Sequence, residues 1–243
     1  MQEEQKWKST KLAVRNLCRR HNLPSDAICR QITSNTIVST SRGRVYTGVV
    51  RRGMSQKEWP VLPTGVRVMV SKHKSRIGTQ VSPFVLRIPA DVNTGQGLPR
   101  QVPLELYWQA AKVTEDEISD QGVAGANYFK RRKAIYEKGK VKRRYIVKDK
   151  KIAGAVFGDS NKLVPYQSSR VHYCRPYERA VRQTDAFKFL DELLDMGVDV
   201  LLVGPDGYAV ETSWQEAYMD TSKPFGHERV LACMLDTEDL PWE

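Results

Sequence analysis

Long apolar segments and paired cysteines are missing from this sequence of 243 residues. No run reaches the roughly 18 apolar residues of a transmembrane helix, and the opening MQEEQKWKSTK has no apolar stretch typical of a secretory signal. The four cysteines form no C-x-x-C pair, which argues against a zinc site and against a disulfide framework. The sequence therefore predicts a soluble, cytoplasmic protein with reduced thiols and no bound metal.

Several motifs of nucleotide and hydrolase chemistry are missing as well. The sequence contains no Walker loop, no G-x-G-x-x-G, no H-E-x-x-H and no G-x-S-x-G. Phosphate-loop enzymes, dinucleotide-binding folds, zincins and α/β-hydrolases therefore have no support. We expect a protein that works without a cofactor.

The charge is distributed unevenly along the chain. The whole sequence carries a net charge of +11. Residues 185–243 contain three Lys or Arg and fourteen Asp or Glu, a net charge of −11, which leaves +22 on residues 1–184. Within Lys130–Lys151, twelve basic residues face two acidic ones. A run of this density attracts phosphate groups and can supply sequence-independent affinity for nucleic acid.

Two interpretations of this basic run remain open. In the first, the run makes a nucleotide or nucleic acid the expected partner, through Lys130, Arg131, Arg132, Lys142, Arg143 and Arg144. In the second, it is a solvated stretch that maintains solubility or pairs with the acidic C-terminal part.

The N-terminal part combines helical and β-rich segments. Residues 9–33 show the apolar spacing of two helices, either an amphipathic pair or a helix-turn-helix. β-branched residues in 35–41, 44–52 and 65–74 predict a small sheet.

These segments predict an α+β protein with a small β-rich N-terminal part. The division that we expect is a helical and β extension over residues 1–65, followed by a largely helical domain over residues 66–243.

The C-terminal part predicts a helix, a buried strand and a closing helix. Apolar residues recur at helical spacing within 173–197 and end at Gly197, a residue typical of a helix C-terminus. The segment VDVLLVGPDGY, residues 198–208, predicts a buried strand followed by a tight turn. Val230, Leu231 and Met234 repeat as the buried face of a last helix.

Several residues in this part are candidates for ligand contacts, and each has a structural alternative. Asp206 is either a functional carboxylate at the end of the buried strand or a turn residue. His227, assisted by Lys223, lies at a predicted helix start that favours an anionic ligand, or else it caps the helix. The segment RVHYCRPYE, with Tyr173, predicts either a base-binding pocket or a helix start with buried tyrosines.

The segment VPLELYWQAAKVTEDEI, residues 102–118, predicts a helix with an unusual polar row. Glu105, Gln109 and Lys112, spaced four and three apart, share one side of this helix, and Trp108 lies on the adjacent side. The row is either a wet outer face or a polar row that faces a pocket.

The order of these segments is similar to that of the NADAR family (YbiA-like fold). The resemblance covers residues 66–235 and is closest in LELYWQAAK, where Glu105, Gln109 and Lys112 match the family's Glu-x-x-x-Gln-x-x-Lys helix. Ser82 and Phe84 stand where the family has an early Asn-Phe loop. The closing FGHERVLACML corresponds to the family's last helix but lacks its second glycine.

The resemblance implies an N-glycosidase that hydrolyses the bond between a ribose-type sugar and a nitrogen. Glu105 is then the main catalytic carboxylate, which stabilises positive charge on the sugar, and Asp206 is the second candidate. The expected substrate-binding residues are Ser82, Phe84, Trp108, Gln109, Lys112, Tyr173, Lys223 and His227. The alternative function is a non-catalytic nucleic-acid-binding protein that uses residues 130–151.

Overall fold

The computed structural model describes residues 2–51, 53–71, 75–139 and 151–243, with side chains from residue 6 onward. The chain combines α-helices and β-strands, as predicted. It divides into two compact units. The first unit contains Met1–Ser82 and Val181–Pro241, and the second contains Pro83–Ala180 and Trp242–Glu243.

A parallel sheet of three strands lies at the centre of the first unit. Its strands are β1 (Val45–Val49), β2 (Val66–Met69) and β5 (Val200–Gly204), in the order β1-β5-β2. Val200 of β5 pairs with Val45 on one side and with Val66 on the other. The strands predicted within 44–52, 65–74 and 198–208 are therefore confirmed.

The strand predicted within residues 35–41 is wrong. This segment forms no strand, and its one bridge pairs Val38 with Val198 outside the named strands. The division at residues 65 and 66 also differs from the observed one. A parallel pair needs a long crossover connection, and here β5 joins two strands that lie more than 130 residues earlier in the chain.

The helices of the first unit cover this sheet and each other. They are α1 (Gln2–Arg20), α2 (Asp26–Cys29), α3 (Arg76–Val81), α7 (Asp185–Asp195), α8 (Trp214–Met219) and α9 (His227–Asp236). The single helix predicted within residues 173–197 is two helices in the structure, one over Val171–Val181 and α7, because Thr184 caps a new start. The predicted helix that contains Val230 is confirmed as α9. Thr184 caps α7 by accepting a hydrogen bond from the Phe187 amide at 3.1 Å.

The described residues of the second unit, 83–139, 151–180 and 242–243, include two strands and three helices. They are α4 (Leu104–Ala111), β3 (Lys112–Thr114), α5 (Ala126–Lys138), β4 (Ile152–Ala155) and α6 (Val171–Val181), whose last residue lies at the boundary of the first unit. The strands β3 and β4 pair antiparallel. A buried cluster of Val113, Ala124, Tyr128 and Val156 packs beneath them.

The helix predicted over residues 102–118 is wrong beyond Ala111. Lys112 already has an extended backbone and pairs with Ala155 of β4. Two residues later, Thr114 and Glu117 form a capping box that starts a separate 3-10 turn. The pairing of Lys112 in β3 and the capping box at Thr114 therefore end α4 at Ala111.

The left-handed turn after α7 provides a test of the fold. Gly197 has a φ of 78°, and a Cβ atom there would lie 2.2 Å from the carbonyl oxygen of Ser39. We expect Gly197→Ala to lower the free energy of unfolding, measured by urea titration, by about 3 kcal/mol, because strain and a backbone clash add.

Gly53→Ala is the matched control in the same unit. Gly53 also has a positive φ, 93°, but apart from its chain neighbours no atom of the described residues lies within 4 Å of its added Cβ. The control should cost about 1 kcal/mol, which is the conformational part alone. Equal losses in the two variants would show that the contact with Ser39 does not constrain this turn.

Candidate active site

The polar row of α4 is buried. Glu105 is 4% exposed, and Gln109 and Lys112 are each 7% exposed, so the interpretation of this row as a wet outer face is wrong. The Gln109 side-chain amide donates a hydrogen bond of 2.9 Å to Glu105 Oε1. Its own carbonyl oxygen, Gln109 Oε1, is buried without a hydrogen-bond partner in the described part of the chain.

The backbone around α4 fixes the position of this row. The helix begins after Pro103, and the Glu105 amide donates to the carbonyl oxygen of Pro83 at 2.9 Å. At the other end, the hydroxyl of the buried Tyr128 lies 3.3 Å from the carbonyl oxygen of Ala111. Because the main chain is held at both ends, the carboxylate of Glu105 has a defined place in the second unit.

Aromatic rings surround Trp108 on the adjacent side of α4. The centre of the Trp108 ring lies 6.4 Å from that of Phe157, 6.1 Å from that of Tyr166 and 5.4 Å from that of Tyr173. His172 stacks on Phe157 with ring centres 4.0 Å apart. We call these five residues the aromatic group. Trp108 and Tyr173 are buried, whereas Phe157, Tyr166 and His172 are half-buried, so the group reaches the surface.

A positive charge lies next to this group. The Lys112 ammonium is 5.2 Å from the centre of the Trp108 ring, a distance at which a cation interacts with an aromatic face. The second unit thus brings together Glu105, Trp108, Gln109, Lys112 and Tyr173, all of which the sequence predicted as site residues. Phe157 and Tyr166 were not predicted, because a single aromatic residue beside a strand or in a loop has no distinguishing pattern.

The pKa of the half-buried His172 is lower than its ordinary value of 6.5. Burial is the main cause, because it disfavours the charged imidazolium, and the nearby positive charge of Arg175 adds to the effect. His172 is therefore neutral near pH 7, with a ring that can accept or donate a proton.

Two arginines of the predicted nucleic-acid site bind groups within the second unit. Arg131 donates to both carboxylate oxygens of Glu117, at 2.5 and 2.9 Å. Burial opposes ionisation of Glu117. The hydrogen bonds from Arg131 and from the backbone amide of Thr114 together outweigh this effect, so the pKa of Glu117 is lowered. Arg132 is 4% exposed and donates to the carbonyl oxygens of Gly158 and Thr94.

Of the other basic residues of the predicted nucleic-acid site, the structure describes Lys130. Lys130 is exposed on α5, where Lys133 and Lys138 are exposed as well. Lys142, Arg143 and Arg144 lie outside the described residues.

The remaining predicted residues are divided between the two units. Phe84 belongs to the second unit and is half-buried. Ser82, Asp206, Lys223 and His227 belong to the first unit, where Ser82 is buried at the end of α3 and Lys223 is exposed. Each unit therefore holds part of the predicted set.

His227 is 6% exposed at the start of α9 and is held from two sides. Its Nε2 lies 3.1 Å from the carbonyl oxygen of Val70, an acceptor, so this nitrogen carries the proton. Its Nδ1 lies 3.2 Å from Glu228 Oε2. Both ring nitrogens thus have contacts within the first unit, which favours the structural interpretation of this histidine.

The fully buried Glu228 was missed by the sequence analysis. Glu228 Oε1 accepts a hydrogen bond of 3.4 Å from the Asp206 amide. A Cβ atom at Gly204 would lie 2.2 Å from Oε1, and one at Gly226 would lie 3.0 Å from Oε2, so both glycines leave room for this carboxylate. An acidic residue in the first turn, just before the apolar run Val230–Leu235, was the available signal.

Comparison with known proteins adds no relative. No protein-family model matches the chain, and neither the curated proteins nor the solved structures yield a match. The functional argument therefore rests on the residues of this chain.

Two expectations about metals and membranes can be compared with the described residues. Within residues 2–51, 53–71, 75–139 and 151–243, no group of three or more His, Cys, Asp or Glu is placed to hold a metal ion. Across the same ranges, no helix has the length and apolar character needed to cross a membrane.

The lowered pKa of His172 predicts a dependence of stability on pH. Below pH 6.5 the unfolded chain binds a proton at this histidine before the folded protein does, so acidification favours unfolding. The free energy of unfolding should therefore fall from pH 6.5 downward until the folded pKa is passed. This contribution should be missing from His172→Phe, which keeps an aromatic ring against Phe157.

The measurement is urea titration at a series of pH values between 7 and about 4, with NMR titration of the histidine rings in the folded protein. His172→Gln removes both the charge and the ring. If the free energy of unfolding depends less on pH by the same amount in His172→Phe and in His172→Gln, the effect is due to titration of His172. A His172 ring that titrates at or above pH 6.5 in the folded protein would contradict the lowered pKa.

Proposed function

We propose that this protein is an N-glycosidase that hydrolyses a ribose-type N-glycosidic bond in a nucleotide, an ADP-ribosylated base or a nucleic-acid substrate. The observation that carries the proposal is the buried carboxylate of Glu105, held by Gln109 beside the aromatic group. The resemblance of this helix to the NADAR family supports the same activity, and a YbiA-like fold is part of the proposal.

The reaction requires a negative charge next to the sugar. As the bond from C1′ to nitrogen breaks, positive charge develops on C1′ and the ring oxygen, and the oxygen of water then bonds to C1′. The leaving nitrogen takes a proton, and water loses one. A carboxylate fixed in a buried place stabilises the positive charge strongly, because it does not need to reorganise during the reaction. Glu105 fits this task.

Gln109 contributes in two ways. Its amide nitrogen binds Glu105 Oε1 and so fixes the orientation of the carboxylate. Its carbonyl oxygen is a buried acceptor without a partner in the described chain, an arrangement that costs about 1–3 kcal/mol unless a donor arrives. A sugar hydroxyl group of the substrate is such a donor, so binding would satisfy an acceptor that the protein leaves open.

The aromatic group and Lys112 account for recognition of the rest of the substrate. Stacking of a base on an aromatic side chain stabilises binding by about 1–3 kcal/mol and needs no particular base. The half-buried rings of Phe157, Tyr166 and His172 supply such surfaces. Lys112 adds a positive charge for a phosphate group, and the exposed lysines of α5 favour the approach of a polyanionic substrate.

The variant Glu105→Gln tests the proposal. It keeps the size of the side chain and an oxygen that can accept from Gln109, but it removes the negative charge. We expect kcat to fall by about 100-fold or more with little change in stability, since the charge acts mainly on the transition state. Turnover is measured by mass spectrometry of the released base from ADP-ribosylated DNA, NAD-type nucleotides and pyrimidine ribosyl phosphates.

Glu115→Gln is the matched control for this test. Glu115 is exposed and pairs with Lys151 at 3.2 Å, so its neutralisation should leave kcat unchanged. Near wild-type turnover in Glu105→Gln would remove the catalytic role of this residue. A wild-type protein that releases no base but binds nucleic acid would favour the non-catalytic alternative.

A further inference from the structure

The first unit contains a cleft that the proposed glycosidase activity does not use. Its volume is about 450 Å³, and it is bordered by α2, by the loop before β2, by β2 itself and by the start of α3. Its polar and aromatic lining includes Arg30, Gln31, Gln56, Trp59, Arg67 and Arg76. We call it the arginine cleft.

The charge of the arginine cleft has one sign. Three of the described residues that line the cleft are arginines. No described lining residue is an aspartate or a glutamate. Arg30 and Arg76 are exposed, and Arg30 Nε donates a hydrogen bond of 3.0 Å to the carbonyl oxygen of Asp26. Arginine guanidinium groups bind phosphate through paired N–H donors, so the cleft suits a phosphorylated ligand.

An indole ring forms one wall of the cleft. Trp59 is half-buried and packs against the buried cluster of Met69, Leu201 and Val203. The guanidinium carbon of Arg67 lies 5.3 Å from the centre of the Trp59 ring. The flat wall that these two side chains form is attached to the core of the unit, and a planar base can stack on such a surface.

Hydrogen bonds keep this wall in place before any ligand arrives. Gln31 Oε1 accepts from the Arg67 amide at 2.8 Å, and Gln31 Nε2 donates to the Arg67 carbonyl oxygen at 3.0 Å. The Arg67 side chain also donates to the carbonyl oxygen of Pro60 at 3.2 Å. A site that is already ordered loses little conformational entropy when it binds.

We propose that the arginine cleft binds a nucleotide, with the base on the wall formed by Trp59 and Arg67 and the phosphate group between Arg30 and Arg76. The volume lies within the range of about 300–1,000 Å³ that small-molecule sites occupy. A phosphate without a base would leave the wall of Trp59 and Arg67 unused, and a base without a phosphate would leave the positive charges of Arg30 and Arg76 without an anion. The combination of both features selects a nucleotide.

The test is isothermal titration of the full chain with AMP, ribose 5-phosphate and adenosine. AMP should bind at least about tenfold more tightly than either fragment. Arg30→Ala and Arg76→Ala should each weaken AMP binding by about tenfold, because each removes a charge-assisted contact with phosphate. Arg15→Ala removes the same charge from an exposed position of α1 outside the cleft and should leave the affinity unchanged.

Three results would overturn the proposal. Equal affinities of AMP and ribose 5-phosphate would reduce the cleft to an anion site. AMP affinity that survives Arg30→Ala and Arg76→Ala but is lost in Trp108→Ala would place the nucleotide in the second unit. Binding of a single-stranded oligonucleotide without any binding of AMP would make the cleft a nucleic-acid surface. Glu105→Gln should retain AMP binding at the cleft, so loss of glycosidase activity and failure of this proposal are separable.

Discussion

The burial of β5 is the constraint on which the first unit depends. All five residues of Val200–Gly204 are buried, and the strand pairs on both sides, with β1 and with β2. A strand that is paired on both sides can form the hydrogen bonds of its backbone N–H and C=O groups within the sheet. This requires both neighbouring strands to be in place. The N-terminal segments must therefore pack with the C-terminal part, and the parallel direction brings the strand ends, with Asp206, to one edge of the sheet.

The second unit depends instead on buried polar groups that compensate each other. The ion pair of Arg131 with Glu117, and the bonds from Arg132 to Thr94 and Gly158, hold α5 against the loops around it. Burying a guanidinium is costly unless its donors are satisfied, and Arg131 Nη1 and Arg132 Nε are buried without a hydrogen-bond partner in the described part of the chain. Because their other nitrogens already donate within the unit, both arginines are poor candidates for phosphate contacts. The basic run Lys130–Lys151 therefore contains arginines that bind groups within the second unit and lysines that are exposed. Composition alone does not distinguish the two kinds of residue.

The sequence predicted those elements whose signal is local. Apolar periodicity and Gly197 were sufficient for α7, and β-branched residues were sufficient for β1 and β2. The end of α4 and the division into units could not be predicted, because both depend on pairing between distant segments. In the candidate site, the spacing of Glu105, Gln109 and Lys112 was readable, whereas their burial and the ring of Phe157 depend on tertiary packing.

Both proposed sites contain aromatic side chains and cations, but among the described residues only the site in the second unit contains a carboxylate. In the second unit, Glu105 is buried near Trp108 and Lys112, so a bound sugar would meet a fixed negative charge. Among the described residues of the arginine cleft there is no carboxylate, and the only charges that a ligand would meet from them are those of arginines. Cleavage of a glycosidic bond needs stabilisation of positive charge on the sugar, which a cationic cleft opposes. The same ligand class would therefore be hydrolysed in one site and only bound in the other.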